Sequence, residues 1–219
     1  MAPILPHSTD RDPAAQLRQA IVDGVFQPNE RLVEEDLAVR FGTKRPVIRA
    51  ALALLEGEWL IVHERNRGAR VRFVTVEEAA EILECRAALE GLVARKAAEN
   101  IDAAGIDRLG EIVTSMKHYA GAGDIRGYSE CNGRFHAMLL EIARHAASER
   151  LLVSLKAQSV RHQYRSALSP GRPAKSLREH QAILAALVEH DAAAAERAMR
   201  KHILNVSQAL RDSTAMLLP

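Results

Sequence analysis

The sequence predicts a mainly α protein in two parts: a small N-terminal head of three helices and a hairpin, then an all-helical antiparallel bundle. Three observations predict it. Between Arg31 and Val71, two short amphipathic stretches flank a tight turn at Phe41-Gly42 and lead into a basic hairpin with Gly68 near its tip. After Val74, apolar residues recur only at helical spacing, in six stretches separated by polar, Gly or Pro clusters. Aromatic residues are 4% of the 219 while apolar residues are 47%, so Ala and Leu must do the packing, which favours helices over strands.

The elements follow in order. Residues 13–23 read as a first helix, with Pro13 in its first turn, Leu17, Ala20 and Ile21 on one stripe, and Gly24 closing it. Residues 34–41 read as a second helix with Leu37 and Phe41 inward. Residues 44–56 read as a third, with Ile48, Ala51, Leu52 and Leu55 inward. The strands are expected at 59–62 and 69–74, joined by a wing running from His63 to Gly68. Helix, turn, helix and basic hairpin are the plan of a winged helix-turn-helix, which sets one helix into the DNA major groove. Residues 1–74 therefore read as a DNA-binding head.

Residues 75–219 read as the bundle. Thr75 with Glu78 three residues on has the form of a capping box. Helices are expected at 76–99, 102–120, 124–145, 148–167, 175–190 and 192–212, and their short connections make neighbours antiparallel.

Charge supports the head's role by where it lies. The net charge is only +2, but residues 40–75 hold eight basic and three acidic groups, net +5. Residues 10–39 hold three and seven, net −4, and the remainder nineteen and eighteen. A local positive patch is what phosphate contacts need. Cys85 and Cys131 are 46 residues apart with no CxxC pair, so a cysteine zinc site is excluded, and both are expected as buried, reduced thiols. No apolar run approaches membrane-spanning length and the N-terminus lacks a signal-peptide pattern, so a soluble, cytoplasmic protein is expected.

The expected DNA-reading groups are Lys44, Arg45 and Arg49 on the third helix, with Arg65, Arg67, Gly68 and Arg70 on the wing. Arg45 and Arg49 are four residues apart and so share a face. Arginine can take guanine O6 and N7 bidentately, at roughly 1–3 kcal/mol of discrimination. Lys44 suits phosphate, and the wing arginines suit backbone or minor groove.

Within the bundle, Asn132 and His136 share a helix face, and His180 and His202 lie on two helices that a hairpin can bring together. Three imidazoles, one oxygen ligand and open positions suit Zn²⁺, Ni²⁺ or another divalent transition ion. From spacing alone the signal is weak, because a lone helical histidine is more often an ordinary surface or hydrogen-bonded core residue. No Glu or Asp pairs obviously with them.

The head resembles the GntR family of bacterial transcription regulators. Asp23-Gly24, Pro28, Leu32, Glu34, Leu37-Ala38, Gly42, Arg45, Arg49, Ala51-Leu52, Leu55 and Gly68 match its pattern without a gap. The departures are Asn29 where Gly is usual, Lys44 where Ser or Thr is usual, and Pro46 one residue early. The rest resembles the FCD effector domain of the FadR branch, through Arg86-x-x-Leu89-Glu90, Asn132-x-x-Phe135-His136, Glu179-His180 and Arg200-x-His202. The resemblance implies Arg45 and Arg49 as main operator contacts and Asn132, His136, His180 and His202 as metal ligands, Asn132 standing where Asp is commoner. It also implies Arg86 beside that site to hold a small carboxylate effector, unless Arg86 simply pairs with Glu90 one turn on. A homodimer on a palindromic operator, repressing more readily than activating, follows from the resemblance. The competing reading is a metal-dependent enzyme on a His-lined bundle, which needs a general base beside the metal.

Overall fold

The structure is a computed structural model. It describes the backbone of residues 12–64, 67–167 and 171–215, and the side chains among them except those of 160, 161, 163–167, 214 and 215. Two compact units meet at Thr75 and Val76.

The first unit runs α1 (Pro13–Val22), β1 (Arg31–Leu32), α2 (Glu34–Arg40), α3 (Arg45–Gly57), β2 (Ile61–Glu64) and β3 (Gly68–Val71). Asp12 caps α1 by accepting the Ala14 N–H at 3.1 Å, and Pro13 takes the first position, where no N–H is required. In seven-residue α2, Glu34, Glu35 and Asp36 at the start and Arg40 at the end complement the helix dipole. The predicted stripes close the core: Leu17, Ile48, Leu52, Leu55 and Ile61 are all buried. Each contributes about 1.5–3 kcal/mol by leaving water. Phe41 is half-buried at the end of α2. Gly42 then turns the chain into α3 at φ +61°, a left-handed conformation that glycine adopts without penalty.

The sheet has three strands, in the order β1-β3-β2, all antiparallel. The third strand is unforeseen: Arg31 and Leu32 pair with Arg70 and Ala69, too short a segment for an alternating pattern to show. The hairpin strands pair Ile61 with Val71 and Glu64 with Gly68, so β2 starts two residues later than predicted and β3 ends at Val71. Trp59 is not in a strand. It stands exposed at φ +60°, with the Arg72 guanidinium 5.3 Å over its ring. Asn29 explains its own departure from the family pattern. Its φ is +65°, where Gly is usual and Asn is the next best tolerated residue, and its N–H donates to Val71.

The second unit is six helices: α4 (Val76–Asn100), α5 (Ala103–Ala122), α6 (Ile125–Ala143), α7 (Ala146–Ala167), α8 (Arg172–Val188) and α9 (Ala192–Ala215). Asp102 and Asp124 cap α5 and α6 by accepting the N–H of Gly105 and Gly127, at 2.8 and 2.9 Å. A Cβ on Gly127 would stand 2.5 Å from the Tyr119 ring, so only glycine fits beside that cap. The helix α7 opens two residues before its predicted start. The chain turns earlier, at Arg144 (φ +51°), and His145 accepts the Ser148 N–H at 3.2 Å. α4 packs most extensively on α9, which its small buried residues Ala79, Ala80, Ala87, Gly91, Ala94, Ala97 and Ala98 permit. Cys131 is buried as expected, but Cys85 is exposed, because it falls off the α4 stripe.

Candidate functional site

The first candidate surface is the N-terminal end of α3. Lys44 occupies the N-cap position, exposed and in extended backbone conformation, and makes no side-chain cap bond. Arg45 and Pro46 open the helix, and Pro46 removes an N–H that has no helical acceptor there. The Arg45 and Arg49 side chains are 59% and 68% exposed. Ile48, between them, is fully buried, and this fixes which side of α3 the two arginines present.

One carboxylate organises both. Arg49 donates from Nε and Nη2 to the two oxygens of Glu34, at 2.9 Å each, and Arg45 Nη2 lies 3.7 Å from Glu34 Oε2. The Arg49 hydrogen bond, with the Arg45 charge, holds the Glu34 carboxyl below its ordinary range. Arg67 and Gly68 are exposed on the wing, with Gly68 at φ +80°. Arg70 is tied down, donating to Glu64 at 2.6 Å and to the Asn29 side chain. Arg65 lies outside the described residues.

The second candidate site is in the bundle. His136 on α6, His180 on α8 and His202 on α9 converge, with 6%, 0% and 3% of their surface exposed. One ligand atom from each lies within 4.8 Å of the others. The His180 and His202 rings are 4.4 Å apart, and the His136 ring is 5.4 Å from each. Phe135 packs edge-on to His180 at 4.8 Å and closes one side with an apolar wall.

Each imidazole has an oxygen at Nδ1. His180 Nδ1 is 2.7 Å from the Ser176 carbonyl, and His202 Nδ1 is 2.7 Å from Glu179 Oε2. His136 Nδ1 lies 2.7 Å from Glu90 Oε2, a close contact without hydrogen-bond alignment. A carbonyl or carboxylate oxygen only accepts, so it selects the tautomer protonated at Nδ1 and leaves Nε2 with its lone pair. The His180 Nε2 is buried with no partner among the described residues. Burial pushes His136 down to about 4 against the opposing pull of Glu90, and it holds His180 well below the ordinary range. Three imidazoles, each with an oxygen near Nδ1, and the orphaned Nε2 of His180 form a donor set that fits a divalent transition ion. Such an ion would supply Lewis acidity and open coordination positions. Asn132, one turn before His136, is half-buried, and its side chain makes no hydrogen bond among the described residues.

The carboxylates beside these rings correct the expectation that no acid pairs with them. Glu90 projects from α4 and Glu179 from α8. The guanidinium of Arg86 donates to Glu90 Oε1 from Nε at 2.9 Å and Nη2 at 2.7 Å, and to Ser159 Oγ from Nη1 at 3.2 Å. Arg86 therefore anchors Glu90, and its fork is occupied. Arg172 does the same for Glu179, with two bonds of 2.9 Å. Burial, the largest influence on Glu90, pushes its carboxyl up, but Arg86, Lys156 and His136 together hold it well below the ordinary range. Burial likewise opposes, and His202 and Arg172 overcome it, in lowering Glu179 to about 2. Such carboxylates are poor general bases and good orienting groups.

Sequence reasoning offered the Arg86–Glu90 pair as one alternative, and the pair is present, but it missed that Glu90 faces His136 and it missed Glu179, Arg172 and Lys156 at this site. A signal existed for Glu90: it lies on the α4 stripe between Ala87 and Ala94, where an unpaired acid would not be tolerated. Of the other side chains near this stretch of α7, those of Arg161 and Tyr164 lie outside the described residues.

Comparison with known proteins assigns a family to each unit. Residues 11–71 match the bacterial regulatory proteins of the gntR family and residues 81–205 match the FCD domain. The chain is 29% identical to the HTH-type transcriptional repressor RspR of Escherichia coli (strain K12) over 196 residues, 90% of this chain and 86% of that one. It is 32% identical to the gluconate operon transcriptional repressor of Bacillus licheniformis over 134 residues, 61% of this chain and 54% of that one. Its fold resembles E. coli McbR/YncC with a TM-score of 0.77 at 18% identity, covering 95% of this chain and all of the other.

Proposed function

We propose, from the premise that this chain belongs to the GntR family and carries its FCD domain, that it is a repressor released or engaged by a small carboxylate bound beside a metal ion. The family makes it a DNA-binding transcriptional regulator. The observation that carries the finer reading is the histidine cluster: three buried imidazoles share one small volume, each with an oxygen at Nδ1. Six second-unit residues other than the histidines, Arg86, Glu90, Lys156, Arg172, Ser176 and Glu179, surround it with charge and hydrogen bonds. Burying so much polarity costs stability even when paired, a cost that a ligand-binding role accounts for.

The DNA-reading part of the proposal rests on Arg45 and Arg49, with Lys44, Arg67 and Gly68 positioned for phosphate or groove contacts; Arg65 and Arg70 complete the proposed wing set. A guanidinium pair already aligned by Glu34 meets guanine with less side-chain ordering to lose. One head offers few base contacts, so the active form is proposed as a homodimer on a palindromic operator. A ligand shifts DNA affinity only by its differential affinity for the two arrangements of the heads, about 1–3 kcal/mol in typical systems. In this reading His136, His180, His202 and Asn132 hold Zn²⁺ or Ni²⁺. Glu90 and Glu179, each neutralised by its arginine, orient rings and do not abstract protons, which favours a sensor over an enzyme.

The direct test is His180→Ala. It is expected to remove most bound metal by elemental analysis and to abolish any acid-induced thermal shift, while DNA binding without effector persists. Metal content equal to the wild type would overturn the proposed site.

A further inference from the structure

The buried charges of the histidine site do not balance, and the imbalance falls on one residue. Among the described residues the site holds three cations, Arg86, Arg172 and Lys156, and two carboxylates, Glu90 and Glu179. Imidazoles that ligate a metal are neutral, and a bound divalent ion would only add to this positive excess, so the count concerns the side chains alone. Arg86 has Glu90 at 2.7 Å and Arg172 has Glu179 at 2.9 Å, each through two nitrogens. The Lys156 ammonium, on α7, stands 4.0 Å from Glu90 Oε2, beyond hydrogen-bond distance from a carboxylate already engaged by Arg86 and His136.

We propose that Lys156 receives the effector's carboxylate, the role that sequence resemblance gives to Arg86. This rests on the reading of the site as an acid sensor and names the residue that recognises the acid. Accessibility separates the candidates. The side chains of Arg86 and Arg172 are 1% and 6% exposed, whereas that of Lys156 is 28% exposed, so it alone among the three touches both solvent and site. Its chemistry fits. An ammonium on a flexible four-carbon stem can meet an anion at the surface and swing inward with it, and an unbalanced half-buried cation gains most from the arriving negative charge. A single Glu90 oxygen separates Lys156 from His136, being 4.0 Å from the first and 2.7 Å from the second. The ligand class is therefore a small acid with one carboxylate for Lys156 and a second oxygen group able to reach the metal.

The test uses full-length, zinc-loaded protein titrated with citrate, D-gluconate and acetate, read by thermal shift and calorimetry on wild type, Lys156→Gln and Lys156→Arg. Zinc content is measured for all three. The expected result is that citrate or D-gluconate stabilises the wild type more than acetate does. Lys156→Gln should bind that acid about tenfold or more weakly at unchanged zinc content, and Lys156→Arg should recover most of the affinity. Lys156→Gln with wild-type acid affinity would overturn the assignment and leave the acid-sensor reading standing. A zinc-loaded wild type that responds to none of the three acids would instead overturn both.

Discussion

Glu90→Ala is the most demanding single test of the bundle's construction. The substitution removes the carboxylate that accepts both Arg86 bonds and contacts His136, at 2.7 to 2.9 Å. Arg86 has 1% of its side chain exposed and cannot reach water, so it would remain as an uncompensated buried cation with Ser159 as its remaining partner among the described residues. Half-buried Lys156 would then face it without the intervening negative charge. Breaking such a pair from one side costs about 3–5 kcal/mol. For a chain of this length about 1 kcal/mol moves Tm by roughly 2–4 °C, so a fall of roughly 6–20 °C is expected. The assay is thermal unfolding of chelator-treated protein at matched concentration, which keeps metal linkage and oligomer mass action constant. The control is Arg86→Met with Glu90→Leu, which deletes both charges and should recover most of the loss. A loss below about 1 kcal/mol for Glu90→Ala, or a double variant no more stable than the single, would refute the argument that this ion pair is buried and mutually dependent.

Other outcomes follow from the geometry. Arg49→Ala should abolish specific operator binding in a gel shift while leaving the circular dichroism unchanged, because the side chain is 68% exposed and supports no core residue. Asn29→Ala should lose about 1–2 kcal/mol in urea unfolding and Asn29→Gly much less, because the backbone there is left-handed at φ +65°. Gly127→Ala should destabilise by about 1–3 kcal/mol despite the better helix propensity of alanine, because its Cβ would meet the Tyr119 ring at 2.5 Å and the capping Asp124 at 2.8 Å. An unchanged denaturation midpoint for Asn29→Ala or for Gly127→Ala would refute the corresponding argument.

The head and the bundle were legible in the sequence to different depths, for physical reasons. Helix ends could be read where a local rule sets them: Asp102 and Asp124 each cap the N–H three residues on, and Gly24, Gly42 and Gly123 adopt the positive φ that ends or turns a segment. The buried stripe of α3 was readable because one period decides it. Strand β1 was not, because two residues have no period and exist as a strand only through their pairing with Arg70 and Ala69. The Trp59 error has the same origin. An aromatic beside three aliphatics looks like a strand, but the chain is still turning at φ +60° and the ring is taken up by Arg72.

The histidine site shows where local reasoning ends and tertiary reasoning begins. His136 and Glu90 are 46 residues apart on different helices, and no spacing rule links them. What does link them is the intolerance of a packed interior for unpaired charge. Glu90 lies on an apolar stripe and must find a cation, and Arg86 is one turn away. Oε1 takes the arginine, which leaves Oε2 to face the imidazole. The same sequence of constraints recurs on α8, where Arg172 holds Glu179 and Glu179 holds His202. Arg86, which the resemblance offers as a ligand hook, and Arg172 are thus drawn into holding the acids that set the rings. The cation left over, Lys156, is the one nearest solvent, and that is why ligand recognition is assigned to it by charge balance when the resemblance points to Arg86.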